Sequence, residues 1–302
     1  MSFTSIVKSE VSKVEINELE KIAELSAILS TGAIIEKDIK ITTENASVAR
    51  RIFNLIKDLY QINCLITVRK GINNQKSLYI LQIKDIGILN VLGIYNKQQV
   101  PKEYIIDDDE CLRAYLRGVF LMTGSVNDPK KSRYHLEFLV DTKKYGLFLV
   151  QLLNKYQLNS KILKRKNKYM VYIKEAEKIG DFLRIINAYN AVMYYEDIRI
   201  YRDHKNMTNR LNNCEQANVD KIIETANNQV KDIELIENTI GLNVLDEKEL
   251  IVAKYRLKYR DVSLLELSQI ISVETGQVIT KSGLYHRFKK ISERANKIKD
   301  KI

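Results

Sequence analysis

The sequence has no tryptophan, two prolines and eleven glycines in 302 residues, which excludes collagen-like, proline-rich and low-complexity architectures. Its three cysteines, Cys64, Cys111 and Cys214, are too few and too widely spaced for a metal knuckle or a disulfide framework and read as reduced thiols. No metal, cofactor or small-molecule ligand is expected. Apolar runs are short: the longest clean stretch is residues 146–150, against the roughly 20 residues that a membrane helix needs. The opening Met1-Ser2-Phe3-Thr4 lacks the charged and apolar regions of a secretory signal, which predicts a cytoplasmic protein.

What is abundant is aliphatic surface and positive charge. Hydrophobic residues make up 45% and charged residues 29%, the balance of a globular chain long enough for about two domains. Lys and Arg number 49 against 38 Asp and Glu, a formal charge of +11 that favours a polyanionic partner. Lys, Ile and Asn rise together in AT-rich genomes, so the location of the charge carries more than its total.

Two segments share a signature 92 residues apart: Glu24-Leu-Ser-Ala-Ile-Leu-Ser-Thr31-Gly32 and Leu116-Arg-Gly-Val-Phe-Leu-Met-Thr123-Gly124. Each reads as the end of a helix with small residues on one side (Ser26, Ala27 and Ser30; Ala114 and Gly118), stopped by a glycine suited to a left-handed cap. A β-rich segment follows each, residues 33–42 and 134–140, then a helix (46–60; 142–156), two strands (64–70 and 77–84; 160–165 and 169–174) and a closing helix (87–95; 176–188). The pattern helix–strand–helix–strand–strand–helix, twice over, predicts an internal duplication with halves at about 1–98 and 102–200, joined at the acidic segment 101–110. Residues 201–218 turn polar, with five asparagines, and read as a linker. Val219, Ile222, Ile223, Ala226, Val230 and Ile233 then recur at helical spacing, giving an amphipathic helix that stops near Gly241.

Residues 243–302 predict a small all-helical domain. Leu250, Ala253 and Leu257 mark a first helix, and Ser263-Leu-Leu-Glu266 is a capping box opening a second, with Leu264, Leu267 and Ile271 buried. The third, from about Thr280, spaces Leu284, Phe288, Ile291, Ala295 and Ile298 along one stripe. Opposite lie Ser282, His286, Lys289 and Lys290, flanked by Tyr285 and Arg287. From Lys281 to the last residue, eight Lys and Arg stand against Glu293 and Asp300, a net +6 in 22 residues. Three short helices with a capped middle one and a basic third one form a helix-turn-helix, whose last helix enters the major groove of double-stranded DNA by its N-terminal part. The candidate DNA-binding residues are Lys281, Ser282, Tyr285, His286, Arg287, Lys289, Lys290 and Arg294.

Residues 160–173 hold five cations (Lys161, Lys164, Arg165, Lys166 and Lys168) and no acid, interleaved with Tyr169 and Tyr172. These, with Arg202, Lys205 and Arg210 of the polar stretch, are candidate secondary DNA contacts; the strand cations read equally as the lysines that blunt an exposed sheet edge. His135, among apolar neighbours, reads as a packing histidine, and His204 lies in the basic stretch.

Four segments resemble the WhiA family, regulators linked to sporulation and cell division in Gram-positive bacteria: Ser2-Phe3…Val7-Lys8-Ser9-Glu10-Val11, Leu116-Arg-Gly…Gly124-Ser-Val-Asn-Asp-Pro129, Asn209-Arg-Leu-Asn-Asn-Cys-Glu-Gln-Ala-Asn218 and Lys281-Ser-Gly…His286-Arg. One departure is the stretch 272–280, longer than the family's turn. The resemblance implies an α+β fold: a duplicated αβαββα domain similar to LAGLIDADG homing endonucleases, followed by the helix-turn-helix. In those enzymes a carboxylate from each half, at the eighth motif position, holds the metals that activate water. Here those positions are Thr31 and Thr123, which lack the charge that Mg²⁺ requires, and Glu36, Asp38 and Asp128 lie beyond the helix ends. The resemblance thus implies a sequence-specific, nucleoid-associated transcription regulator without catalytic residues, with another regulator or RNA polymerase as candidate protein partner. An active metal-dependent endonuclease and a broadly binding architectural protein are the competing readings.

Overall fold

The computed structural model describes residues 1–70, 77–131 and 133–300, which form two compact units, Met1–Asp203 and His204–Ile302. The first opens with α1 (Phe3–Val11), a helix missed in the sequence because its buried Phe3, Val7 and Val11 span only two turns. The hydroxyl of Ser2 caps it by accepting the Ser5 N–H at 3.2 Å.

Two fifteen-residue helices, α2 (Glu18–Gly32) and α5 (Asp109–Thr123), form the centre of this unit. Asn17 opens α2 with a full capping box to Glu20, and the Asp108 carboxylate opens α5 by accepting the Cys111 N–H at 2.6 Å. The helices meet through small residues: a Cβ on Gly118 would sit 2.8 Å from the Cβ of Ala27. No larger side chain fits there without separating them.

Each half folds from its central helix in the same order. In the first, β1 (Ala33–Ile35), β2 (Ile39–Thr43), α3 (Ala46–Tyr60), β3 (Leu65–Arg69), β4 (Leu78–Ile83) and α4 (Gly87–Val91) follow α2. In the second, β5 (Gly124–Val126), β6 (Leu136–Val140), α6 (Lys143–Lys155), β7 (Lys161–Arg165), β8 (Lys168–Ile173) and α7 (Ala176–Ile185) follow α5. The sheets are antiparallel with matching orders, β1-β2-β4-β3 and β5-β6-β8-β7.

Each half carries one strand more than expected, so the repeat is αββαββα. The single strand predicted after Gly32 is a hairpin: the polar triplet Glu36-Lys37-Asp38 reverses the chain, and the Glu36 N–H donates to the Asp38 carbonyl at 3.2 Å. The two glycines also act differently from the expectation. Left-handed glycines occur at Gly93, Gly241 and Gly276, whereas Gly124 is extended at φ −80°, ψ 146°. What requires glycine is crowding, since a Cβ on Gly32 would overlap the Met122 side chain and one on Gly124 the Phe120 ring.

The polar stretch expected as a linker is helical. It lies inside α8 (Tyr189–Thr239), 51 residues without a glycine or proline. Asparagine costs only a few tenths of a kcal/mol in a helix, and an established helix extends residue by residue with little penalty. The left-handed Gly241 follows its end at φ +80°.

In the second unit, α9 (Glu247–Lys258), α10 (Leu264–Thr275) and α11 (Lys281–Lys299) pack with the end of α8 around Ile233, Ile236, Val252, Leu267, Ile271, Leu284 and Phe288. The buried stripe of α9 is Glu249, Val252, Ala253 and Arg256; the expected Leu250 and Leu257 are only partly covered. Among the described residues no helix is long and apolar enough to cross a membrane.

Candidate nucleic-acid interface

The start of the basic helix is fixed by hydroxyls. Ser263 and Glu266 close the capping box of α10, which ends on the left-handed Gly276. Ser272 then spans the turn: its Oγ donates to the Ser268 carbonyl at 2.7 Å and accepts the Ile279 N–H at 2.9 Å. Thr280 caps α11 by accepting the Gly283 N–H at 3.1 Å. Residues 272–275 are thus the last turn of α10, and the stretch that reads as too long for a turn shortens to residues 276–280.

Leu284, Phe288, Ile291 and Ala295 bury one side of α11. Lys281, Ser282, Tyr285, His286, Lys289 and Lys290 are exposed on the other, with Arg287 half-buried at the flank. Tyr285 and His286 meet edge-on, ring centroids 5.8 Å apart. Arg294 differs from the rest: it donates to the Val244 carbonyl at 2.8 Å and pairs with the buried Glu249 at 3.2 Å, tying α11 to the start of α9. A second arginine, missed in the sequence because it stands in an apolar stripe, supports the motif from beneath. Arg256 is fully buried, donates to the carbonyls of Tyr259 (3.2 Å) and Val262 (2.8 Å), and lies 5.4 Å from the Phe288 ring centroid. Burial lowers its pKa. The arginine braces the α9–α10 loop against the underside of α11.

The motif threonines of the first unit face their own helices. Thr31 Oγ1 donates to the Ala27 carbonyl at 2.7 Å and Thr123 Oγ1 to the Val119 carbonyl at 2.9 Å, the same four-residue step back in each half. The nearby carboxylates are engaged elsewhere: Asp38 accepts from Gln82 at 2.6 Å, Glu36 pairs with Lys40 at 3.8 Å, and Asp128 accepts the Lys130 N–H at 2.9 Å. Among the described residues no group of three or more His, Cys, Asp or Glu is placed to hold a metal ion. The carboxylate that does lie between α2 and α5 is Glu24. It is fully buried and accepts from Arg51 Nε (2.8 Å), Arg51 Nη2 (3.0 Å) and Arg117 Nε (2.7 Å). Two arginines saturate its oxygens.

Register divides the strand cations of the second half. Lys161 stands opposite Tyr172, and Arg165 opposite Lys168, on one face of the sheet; Lys164 stands opposite Tyr169 on the other. Lys166 occupies the left-handed turn at φ 54°. Acids accompany the shared face, with Arg165 3.4 Å from Glu137 and Lys168 3.3 Å from Asp141. Lys97, at 2.8 Å, and Lys168 hold the Asp141 carboxyl below its usual pKa against the opposing pull of desolvation. His135 joins the group, 3.1 Å from Glu137 and stacked on Tyr172. Arg202 is a clamp: it donates to the carbonyls of Pro129 (2.7 Å) and Lys131 (2.6 Å) and covers the Tyr134 ring. His204, Lys205 and Arg210 are exposed on α8.

Three family descriptions match in succession: the WhiA N-terminal LAGLIDADG-like domain over residues 18–95, the WhiA LAGLIDADG-like domain over 112–205 and the WhiA C-terminal HTH domain over 208–295. Relatives named probable cell division protein WhiA, from Staphylococcus epidermidis and Oceanobacillus iheyensis, are 42% identical over 311 residues, 99% of this chain and 98% of each relative. The chain belongs to the WhiA family. The crystal structure of full-length WhiA from Thermatoga maritima matches with a TM-score of 0.60 at 25% identity, over 98% of this chain and 99% of that one. In WhiA terms, the two repeats are the LAGLIDADG-like domains and the second unit contains the family's helix-turn-helix.

Proposed function

We propose that this WhiA protein is a sequence-specific transcription regulator that reads duplex DNA with α11 and does not cut it. The observation that carries the reading is the exposed row Ser282, Tyr285, His286, Lys289 and Lys290 on a helix whose opposite side is fixed in the core. Hydroxyl, imidazole and ammonium groups on the first turns of such a helix suit base edges and phosphates. Residues 243–302 are the reader and residues 1–200 a scaffold that offers surface to a second regulator or to RNA polymerase. Two of its three strand cations on one face, Arg165 and Lys168, have acids close by, so the contribution of that face to DNA affinity is secondary. The name carried by the relatives supports a role in cell division or sporulation, exercised at the nucleoid.

The absence of cleavage follows from chemistry at Thr31 and Thr123: neutral hydroxyls, whose protons are donated to their own helices, lack the negative charge that two hard cations require of their ligands. Two measurements test the proposal together. Genome-wide occupancy is expected at discrete promoter sites, and supercoiled plasmid is expected to stay intact with Mg²⁺ or Mn²⁺. Uniform coverage of the chromosome overturns the regulator reading, and metal-dependent nicking overturns the non-enzymatic one.

A further inference from the structure

Where α1, the start of α3 and the end of α5 meet, the first unit holds a cavity of about 390 Å³. Its polar lining is rich in protons to donate. The Ser2 hydroxyl oxygen accepts the Ser5 N–H at 3.2 Å, that of Ser5 accepts the Asn45 amide at 3.3 Å, and that of Thr43 accepts the Asn45 N–H at 3.2 Å. Each of these hydroxyls is used as an acceptor and keeps its own proton available. Lys8 enters the same cavity from α1, its Nζ 5.7 Å from the centroid of the buried Phe120 ring. Among the described residues its ammonium has no hydrogen-bond acceptor. Burial lowers its pKa to about 8, against the opposing pull of Glu44, the one acid in the lining.

We propose that this cavity binds a small tetrahedral oxyanion of the phosphate or sulfate class, with Lys8 Nζ as its charge partner and the hydroxyls of Ser2, Ser5 and Thr43 as donors. An ammonium and three hydroxyls on one concavity outnumber the acceptors of Glu44, its one acid, and a surplus of donors is the complement of an oxyanion; charge-assisted bonds of this kind are the stronger ones. The oxyanion has two sources, a free anion or a phosphodiester of bound DNA. The cavity lies wholly within the first unit, so its occupancy is independent of the reading given to α11.

The test uses the full chain and reads two things. In calorimetric titration with sodium phosphate, and with sulfate whose charge is constant near neutrality, the chain binds; Lys8→Met weakens binding by about tenfold to a hundredfold, the range of a charge-assisted hydrogen bond, and Lys8→Arg retains it. Sulfate binding fades as pH rises through about 8, because the cation is lost there. In the unmutated chain, labelling of Lys8 by an amine-reactive reagent, read by peptide mass spectrometry, is slowed by the anion. Protection by phosphate in the absence of DNA identifies a free anion, and protection by duplex alone identifies the backbone. Labelling unaffected by phosphate, sulfate and duplex overturns the proposal, whether or not Lys8→Met folds.

Discussion

Arg117 of α5 donates its Nε to the buried carboxylate of Glu24 on α2 at 2.7 Å, so the two halves of the first unit are joined through a fully buried ion pair. Arg51 of α3 completes the acceptor's coordination. Buried pairs of this kind add little over an apolar contact when intact, because desolvation offsets attraction. Losing one member is what costs.

Glu24→Leu is therefore expected to destabilise the first unit by about 3–5 kcal/mol, since it takes away the acid that two guanidinium groups share and leaves Arg117 only Glu20, at 3.7 Å. The triple variant with Arg117→Leu and Arg51→Met should recover much of that loss. Urea unfolding of the full chain, followed by a probe in the first unit, measures both; equal stability of parent and Glu24→Leu refutes the account.

On α11, proposed above as the DNA reader, Lys289→Ala with Lys290→Ala should weaken binding to all duplexes. The slope of log affinity against log salt should fall by about one unit for each phosphate that is no longer neutralised. Tyr285→Ala or His286→Ala should instead redistribute preference among base sequences, at roughly 1–3 kcal/mol per base pair read. Anisotropy titrations over a salt series, against a duplex selected from a random pool and its single-base variants, separate the two. An unchanged slope in the double lysine variant places the phosphates elsewhere.

Arg294→Ala should act through folding. It strips a partner from Glu249, whose side chain is 1% exposed, so the second unit should lose about 1–3 kcal/mol. Lys290→Ala, at an exposed position, should leave the thermal midpoint of that unit within error. A similar midpoint shift in both variants removes the distinction.

Much of this architecture was legible from periodicity and caps. The duplication, the Ser263–Glu266 box and the stripe Leu284, Phe288, Ile291 and Ala295 are local patterns, and local patterns survive folding. The differences arise where tertiary contacts decide. Gly32 and Gly124 carry the sequence mark of a left-handed cap, yet what they accommodate is Met122 and Phe120. The polar composition of residues 201–218 suggests a loop, but without a glycine or proline the backbone remains helical. Arg294 sits among the candidate DNA-binding cations in sequence while bonding to Val244 and Glu249, and Arg256 and Glu249 lie in a stripe where charge is unexpected. A charge in an apolar stripe is the sign that could have found the last two, and it went unread.

Thr31 and Thr123 have one more implication. Gly32 and Met122 are in contact, so the ends of α2 and α5 lie side by side. Two carboxylates at such a junction repel each other until a cation arrives, and the helix pair would close fully only when loaded. With neutral hydroxyls there, the first unit is expected to assemble to the same tightness whatever the supply of divalent ions, and chelators should leave its folding untouched.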